Sequence, residues 1–282
     1  MRMKIGCFTL PFRKYPFAQA LDAIAHAGFK HVGLWPVHEE LAVFRHEPRQ
    51  EAFVREARKS IAAAGLSPTV LFGQHLPLND AEFATFEIKL EQAADLDCRE
   101  LLCWGPWPWK TFMKEKRPDA DWLRDTQACF KYLPLCANKA EKLDVTISLK
   151  PHCGLTAASK ELLQIVQKVP SPRLKVSYDG GNVSFYEGLD PVEDLKPVAA
   201  HCASLIVKDH VGGQANAAPG AFPNVGKGKV DHKALLAILL QHRFSGPVTV
   251  EKIEGETLEE LSASAKESFA VLSGYAKELG AG

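Results

Sequence analysis

Eight short runs rich in apolar and β-favouring residues recur along the chain, at 4–9, 31–35, 69–72, 100–104, 145–150, 175–179, 204–208 and 248–251, each followed by a longer stretch with helical spacing. That alternation constrains the fold more than any other feature. Successive strands separated by helices pair in parallel, because the helix returns the chain to the end from which the next strand starts. Eight such units in 282 residues match the size of a single (β/α)8 TIM barrel, an α/β fold read here as one domain over 1–282. A doubly wound open sheet is the alternative, but it usually has fewer strands, and no G-x-G-x-x-G follows the first strand.

The helical stretches carry apolar residues three and four apart: Phe17, Ala20, Leu21 and Ile24 in the first, Phe53, Ala57 and Ile61 in the second, Leu162, Ile165 and Val166 in the fifth. Ala-Gly at 27–28 and at 64–65 predicts a helix end just before the second and third strands. Asp231 reads as the N-cap of the helix that follows it.

With 34 Lys+Arg against 34 Asp+Glu, the chain lacks the basic excess of a polyanion binder, so no nucleic acid is expected as a partner. Its 46% hydrophobic and 24% charged residues exclude a disordered chain. Seven scattered cysteines without a CxxC pair predict reduced thiols and a cytoplasmic setting. The opening MRMKIGCFTLPF has too few consecutive apolar residues for a signal peptide or a membrane span, so it reads as the first strand.

Two long inserts stand out. One, 211–229, follows the seventh strand and is glycine-rich, which makes it a candidate lid, or equally a plain surface loop. The other, 105–121, follows the fourth strand and carries Trp107 and Trp109.

Alternation along the strands decides which side chains enter the barrel. Val145, Ile147 and Leu149 suit the helix layer, which turns Thr146, Ser148 and Lys150 inward. The same parity sends Val176 and Tyr178 outward and Asp179 inward, and places Ser204, Ile206 and Lys208, then Thr249 and Glu251, inside. Four ionisable groups, Lys150, Asp179, Lys208 and Glu251, are therefore expected to converge at the carboxyl ends of successive strands, where barrel enzymes place their chemistry. The structural reading of that set is a pair of salt bridges that close the barrel. His152 and Asn182, just after strands five and six, and His210, after strand seven, join as candidate substrate-binding residues with Lys208. Trp104 and Trp107 on the same rim suit stacking against the apolar face of a sugar, or ordinary packing of a proline-rich loop.

The chain resembles the xylose isomerase-like TIM-barrel superfamily, the sugar phosphate isomerase/epimerase group, over nearly all its length. The resemblance rests on KIGCFT, HVGLW, ISLKPH, YDGGN with Tyr186-Glu-Gly and Asp190-Pro191, IVKDH, VGKGKVD and VTVEKIEG. It implies a divalent metal (Mn, Mg or Zn) held by a Glu ending strand five, an Asp or His ending strand six, a His in strand seven and a Glu ending strand eight. Asp179 and Glu251 match two of these positions as metal ligands. Lys150 and Ile206 stand at the other two, and Trp35 stands where strand two often carries a Glu; His75, His152 or His210 would have to complete an altered site.

The resemblance further implies proton abstraction next to a carbonyl through an enediolate, on a small carbohydrate. Here Glu251 is the expected base and Asp179 the residue that holds Lys150 or substrate hydroxyls, while Lys150 supplies the electrophile's charge. In a sharper variant Lys150 forms a Schiff base. Alternatives are a lyase or dehydratase on a keto-sugar, or a barrel without catalysis that binds carbohydrate or serves as a partner subunit. No P-loop or dinucleotide fingerprint appears, so no nucleotide cofactor is expected, and barrels of this group often pair into homo-oligomers through their rims.

Overall fold

The computed structural model describes residues 3–38, 51–111, 114–214 and 221–282, with the side chains of Glu51 and Thr111 outside that description. Eight parallel strands close into a barrel: β1 (Lys4–Phe8), β2 (His31–Leu34), β3 (Ser67–His75), β4 (Glu100–Trp104), β5 (Thr146–Leu149), β6 (Leu174–Asp179), β7 (Cys202–Val207) and β8 (Pro247–Val250). Each expected strand is present, and closure comes from β1, which pairs with β2 on one side and β8 on the other, Cys7 lying opposite Val250. The eight helices that follow them in turn are α1 (Phe17–His26), α2 (Glu51–Ala63), α3 (Asp80–Asp95), α4 (Asp119–Lys142), α5 (Ser159–Lys168), α6 (Pro191–Leu195), α7 (His232–Gln241) and α8 (Leu258–Glu278). None of the described helices is long and apolar enough to cross a membrane.

Local chemistry explains the helix ends. Gly28 and Gly65 stop α1 and α2 at φ +106° and +67°, conformations that a β-carbon disfavours. Asp231 caps α7 by accepting from Ala234 N–H at 2.9 Å, and Thr257 and Glu260 form a capping box on α8. The apolar stripes face the sheet as expected, with one correction: in α2 it is Val54 that is buried with Ala57 and Ile61, three and seven residues on, while Phe53 is 40% exposed at the edge of that stripe.

A core between the strands and helices takes Val145, Ile147, Leu149, Val176 and Tyr178, so the predicted outward parity holds. The barrel interior is a separate cluster: Phe8, Leu10, Val70, Phe72, Leu102 and Ile206, flanked by Trp35 and Trp104. Gly33 is required beside it, since a β-carbon there would lie 2.4 Å from the Phe8 ring. On the other side of the interior, β5–β8 bury Ser148, Ser177, Ser204 and Thr249 below the charged strand ends.

After β4, residues 105–121 hold a small antiparallel pair, Trp109–Thr111 with Glu115–Lys116. In the expected lid, residues 215–220 lie outside the described residues. All seven cysteines are free thiols, six of them buried.

Candidate active site

The parallel ladder continues one residue past β5 and β8: Lys150 N–H donates to Cys103 O at 2.7 Å and Glu251 N–H to Val207 O at 2.8 Å. Strand pairing therefore fixes both backbones, and the period of two sends both side chains into the barrel mouth. There the four expected residues meet. Lys150 Nζ pairs with Asp179 Oδ2 at 3.1 Å and with Glu251 Oε2, while Lys208 Nζ lies 3.3 Å from Asp179 Oδ2 and 3.4 Å from Glu251 Oε1. Each ammonium bridges both carboxylates, and each carboxylate bridges both ammoniums. Lys150, Asp179, Lys208 and Glu251 are only 1, 0, 4 and 4% exposed.

Water is almost absent from this ring, so its members must compensate one another's desolvation. Burial alone would push Glu251 up, but Lys150 and Lys208 more than reverse it and hold the carboxyl well below its usual range. Burial would likewise depress Lys208, yet Asp179 and Glu251 hold it above the ordinary lysine value. The remaining polar atoms have fixed partners. Asp179 Oδ1 accepts from Asn182 N–H at 2.8 Å, Asn182 Nδ2 donates to Pro151 O at 2.7 Å, and Asn182 Oδ1 accepts from Lys208. Asn182, expected on the substrate, thus positions Lys208.

Aromatic rings wall the ring of charges. Lys150 Nζ lies 5.4 Å from the centre of the Phe72 ring, which packs on Trp35 and Trp104 at 4.7 and 5.7 Å. His152 stacks on Trp107 at 5.1 Å and 22°, with Tyr186 at 5.3 Å and Trp104 at 6.0 Å. Burial, with Lys150 and Lys208 nearby, brings His152 down to about 4, so the imidazole is neutral at neutral pH. Its loop is strained: Cys153 sits at φ +61°, at a cost of about 1–3 kcal/mol, while His152 N–H donates to Thr156 O at 2.9 Å. His210, also expected at the site, packs edge-on against Phe185 at 5.4 Å, beside the ring of charges and outside its hydrogen bonds.

The donor set does not suit a divalent cation. Asp179 and Glu251 already share two ammoniums, so a cation between them would meet two like charges, and Ile206 belongs to the apolar barrel interior. Among the described residues no cluster of three or more His, Cys, Asp or Glu is placed to hold a metal, so neither His75, His152 nor His210 completes one.

Several residues escape the sequence reading. Phe72 was legible as an inward position of β3 but carried no chemical signal. Asp209 is fully buried, and its carboxylate accepts four backbone N–H groups, from His210, Gly226, Gly228 and Val230, at 2.9–3.1 Å. It anchors the GKGKV turn behind Lys208. Glu100 lies at the opposite end of the barrel, bonded by Ser204, and burial raises it to about 7 against the lowering effect of Ser148, Ser204 and Ser177.

A family described as xylose isomerase-like TIM barrel matches residues 21–274. No curated protein matches the chain by sequence. Among solved structures, the chain is similar to a protein named the probable 3-DHS dehydratase of petrobactin synthesis from Bacillus anthracis, with TM-score 0.73, 15% identity, and 96% of this chain and 99% of that one covered. It is similar to a 3-keto-D-glucoside 4-epimerase from E. coli, with TM-score 0.73, 14% identity and coverage of 96% and 99%. A third likeness is a xylose isomerase-like TIM barrel protein from Mycobacterium smegmatis in complex with magnesium, with TM-score 0.74, 14% identity and 97% of each chain covered. At these identities the likenesses show the fold.

Proposed function

The chain belongs to the xylose isomerase-like TIM barrel family, and from that premise we propose that it is an isomerase or epimerase of a sugar or sugar derivative, moving a proton next to a carbonyl with two buried ammoniums at the strand ends where the resemblance implies a metal. The observation that supports this reading is the closed ring of Lys150, Asp179, Lys208 and Glu251 at the strand ends. Four buried charges are an expensive way to close a barrel that apolar residues would close as well, which favours a chemical use.

The ring suggests the order of events. A substrate carbonyl oxygen accepts from Lys150 and Lys208, and in doing so loosens their hold on Glu251. Freed from that hold, the carboxylate becomes the stronger base it is not in the closed ring. Glu251 then takes the proton from the carbon beside the carbonyl; the C–H electron pair forms the C=C bond, and the carbonyl π pair moves onto oxygen. The two ammoniums stabilise that enediolate oxyanion. Isomerisation follows when the proton of the adjacent hydroxyl passes to the enediolate oxyanion, that hydroxyl oxygen becomes the new carbonyl and Glu251 returns its proton to the former carbonyl carbon; return to the opposite face of the original carbon, with the oxyanion collapsing back to the carbonyl, gives epimerisation. Asp179 stays hydrogen-bonded to the Asn182 backbone and orients Lys150 and Lys208. The neutral His152 and the rings of Trp104 and Trp107 line the sugar's path.

Incubating the chain with a panel of ketoses and aldoses in D2O and following the carbon-bound protons by NMR tests the reading. Deuterium should enter at the carbon beside the carbonyl, and the product signals separate isomer, epimer and dehydrated keto-sugar. Absence of exchange with every sugar that binds overturns the reading and leaves a carbohydrate-binding barrel.

A further inference from the structure

The ring of four charges is neutral, but the mouth around it is not. Lys252 follows Glu251 directly in the loop after β8, and Arg13 lies in the loop after β1, the strand paired with β8; Tyr15 Oη donates to Glu256 O at 3.1 Å and ties the two loops together. Lys252 is half-buried, yet among the described residues no hydrogen bond or carboxylate within ion-pair distance holds its ammonium. Other lysines differ: Lys110, Lys139, Lys196, Lys227 and Lys233 are each paired with a glutamate. Among the described residues Arg13 donates to Leu10 O alone, at 3.4 Å. The ammoniums of Lys208 and Lys252 both lie 5.9 Å from the centre of the Phe222 ring, so both border it.

Among the described residues no carboxylate lies within ion-pair distance of Lys252 or Arg13. Asp209 is saturated by its four backbone donors. Burial, together with Lys208, Arg13 and Lys150, pulls Lys252 below the ordinary lysine value although Glu251 acts the other way. Such mutual repulsion in a partly dry mouth is relieved by an anion.

We propose that Lys252 and Arg13, with Lys208 over the Phe222 ring, form an oxyanion subsite, and that the substrate is an anionic polyol carrying a carboxylate or a phosphoryl group. The proposal rests on the isomerase or epimerase reading for the identity of the substrate, while the subsite itself stands on the charges. The oxyanion docks at the β8–β1 edge, and the polyol chain then runs from there across Lys208 and Lys150 towards His152 and Trp107.

Calorimetric titration of the full chain with inorganic phosphate, D-gluconate and sorbitol tests this. Phosphate or gluconate should bind more tightly than sorbitol, and Lys252→Met should weaken that oxyanion about tenfold or more, as loss of a charge-assisted hydrogen bond does. Arg13→Met, at an exposed position that tolerates change, should weaken it in the same direction, and Lys227→Met, a paired surface lysine, should leave it unchanged. Phosphate as the tighter probe assigns a phosphoryl group, gluconate a carboxylate. Oxyanion binding that is absent, or unaffected by both Lys252→Met and Arg13→Met, overturns the subsite. The two readings fail separately. Deuterium exchange in a sugar acid or sugar phosphate at an unchanged rate in Lys252→Met overturns the subsite and keeps the isomerase. Oxyanion binding lost in Lys252→Met, with no exchange in any sugar acid or sugar phosphate, keeps the subsite and overturns the isomerase.

Discussion

The two halves of the barrel interior are built from opposite materials. On β1–β4 the inward positions are Phe8, Val70, Phe72 and Leu102, capped by Trp35 and Trp104. On β5–β8 they are serines, a threonine and Ile206, which joins the apolar cluster, with Lys150, Asp179, Lys208 and Glu251 above them. The apolar half gains from every contact it excludes from water, whereas each charge in the polar half is stable only through its partners. The Phe72 ring under Lys150 joins the halves: it supplies a dry wall that strengthens the ion pairs and a π face for the ammonium. A barrel split this way has one side that binds rigidly and one that responds to charge.

The largest expected effect comes from unbalancing the polar half. Lys150→Met leaves Asp179 and Glu251 facing Lys208 alone, and should lower stability by about 3–5 kcal/mol in denaturant titrations and turnover by about 10²–10³-fold. Adding Glu251→Gln should restore much of the stability and none of the turnover. A double variant no more stable than Lys150→Met would mean that the two do not act as a pair, and would break the contrast between the halves.

A smaller effect is expected at the opposite end of the barrel, where Glu100 of β4 reaches across the interior to Ser204 of β7. Glu100 has its folded value raised to about 7, so the folded state prefers the protonated acid. Stability is therefore fully present at acid pH, falls as pH rises from about 4.5 to 7, and stays reduced above that. Glu100→Gln should remove the slope and raise stability at pH 8 by about 3 kcal/mol, read from thermal unfolding across pH. A slope that persists in the variant would place its source elsewhere.

The smallest effect belongs to the apolar half. Phe72→Leu should cost about 1–2 kcal/mol in stability and slow turnover only modestly, because a hydrophobic replacement keeps the wall dry. A loss of turnover as large as that of Lys150→Met would give the aromatic wall a share of the chemistry.

Much of this was legible before any coordinates. Strand–helix alternation identified all eight strands, and parity along them placed Lys150, Asp179, Lys208 and Glu251 inside. Phe53 shows where pattern reading slips: a single residue of helical phase separates it from the buried Val54. A loop residue next to a strand end, such as Asn182 or His210, has no periodicity to say where its side chain goes. Lys252 escaped for the opposite reason. Parity turns it away from the interior, and only the curl of the chain past β8 brings it beside Phe222.

The sequence by itself determined the parallel barrel, its outward apolar faces and the residue types at the strand ends, because those follow from local periods of two and of 3.6 residues. Only the closed tertiary structure decided that the four charges form one ring with every carboxylate shared by two lysines. Partnership between strands distant in sequence depends on which strands become neighbours and how deeply water is excluded, and neither quantity is written in any local stretch of the chain.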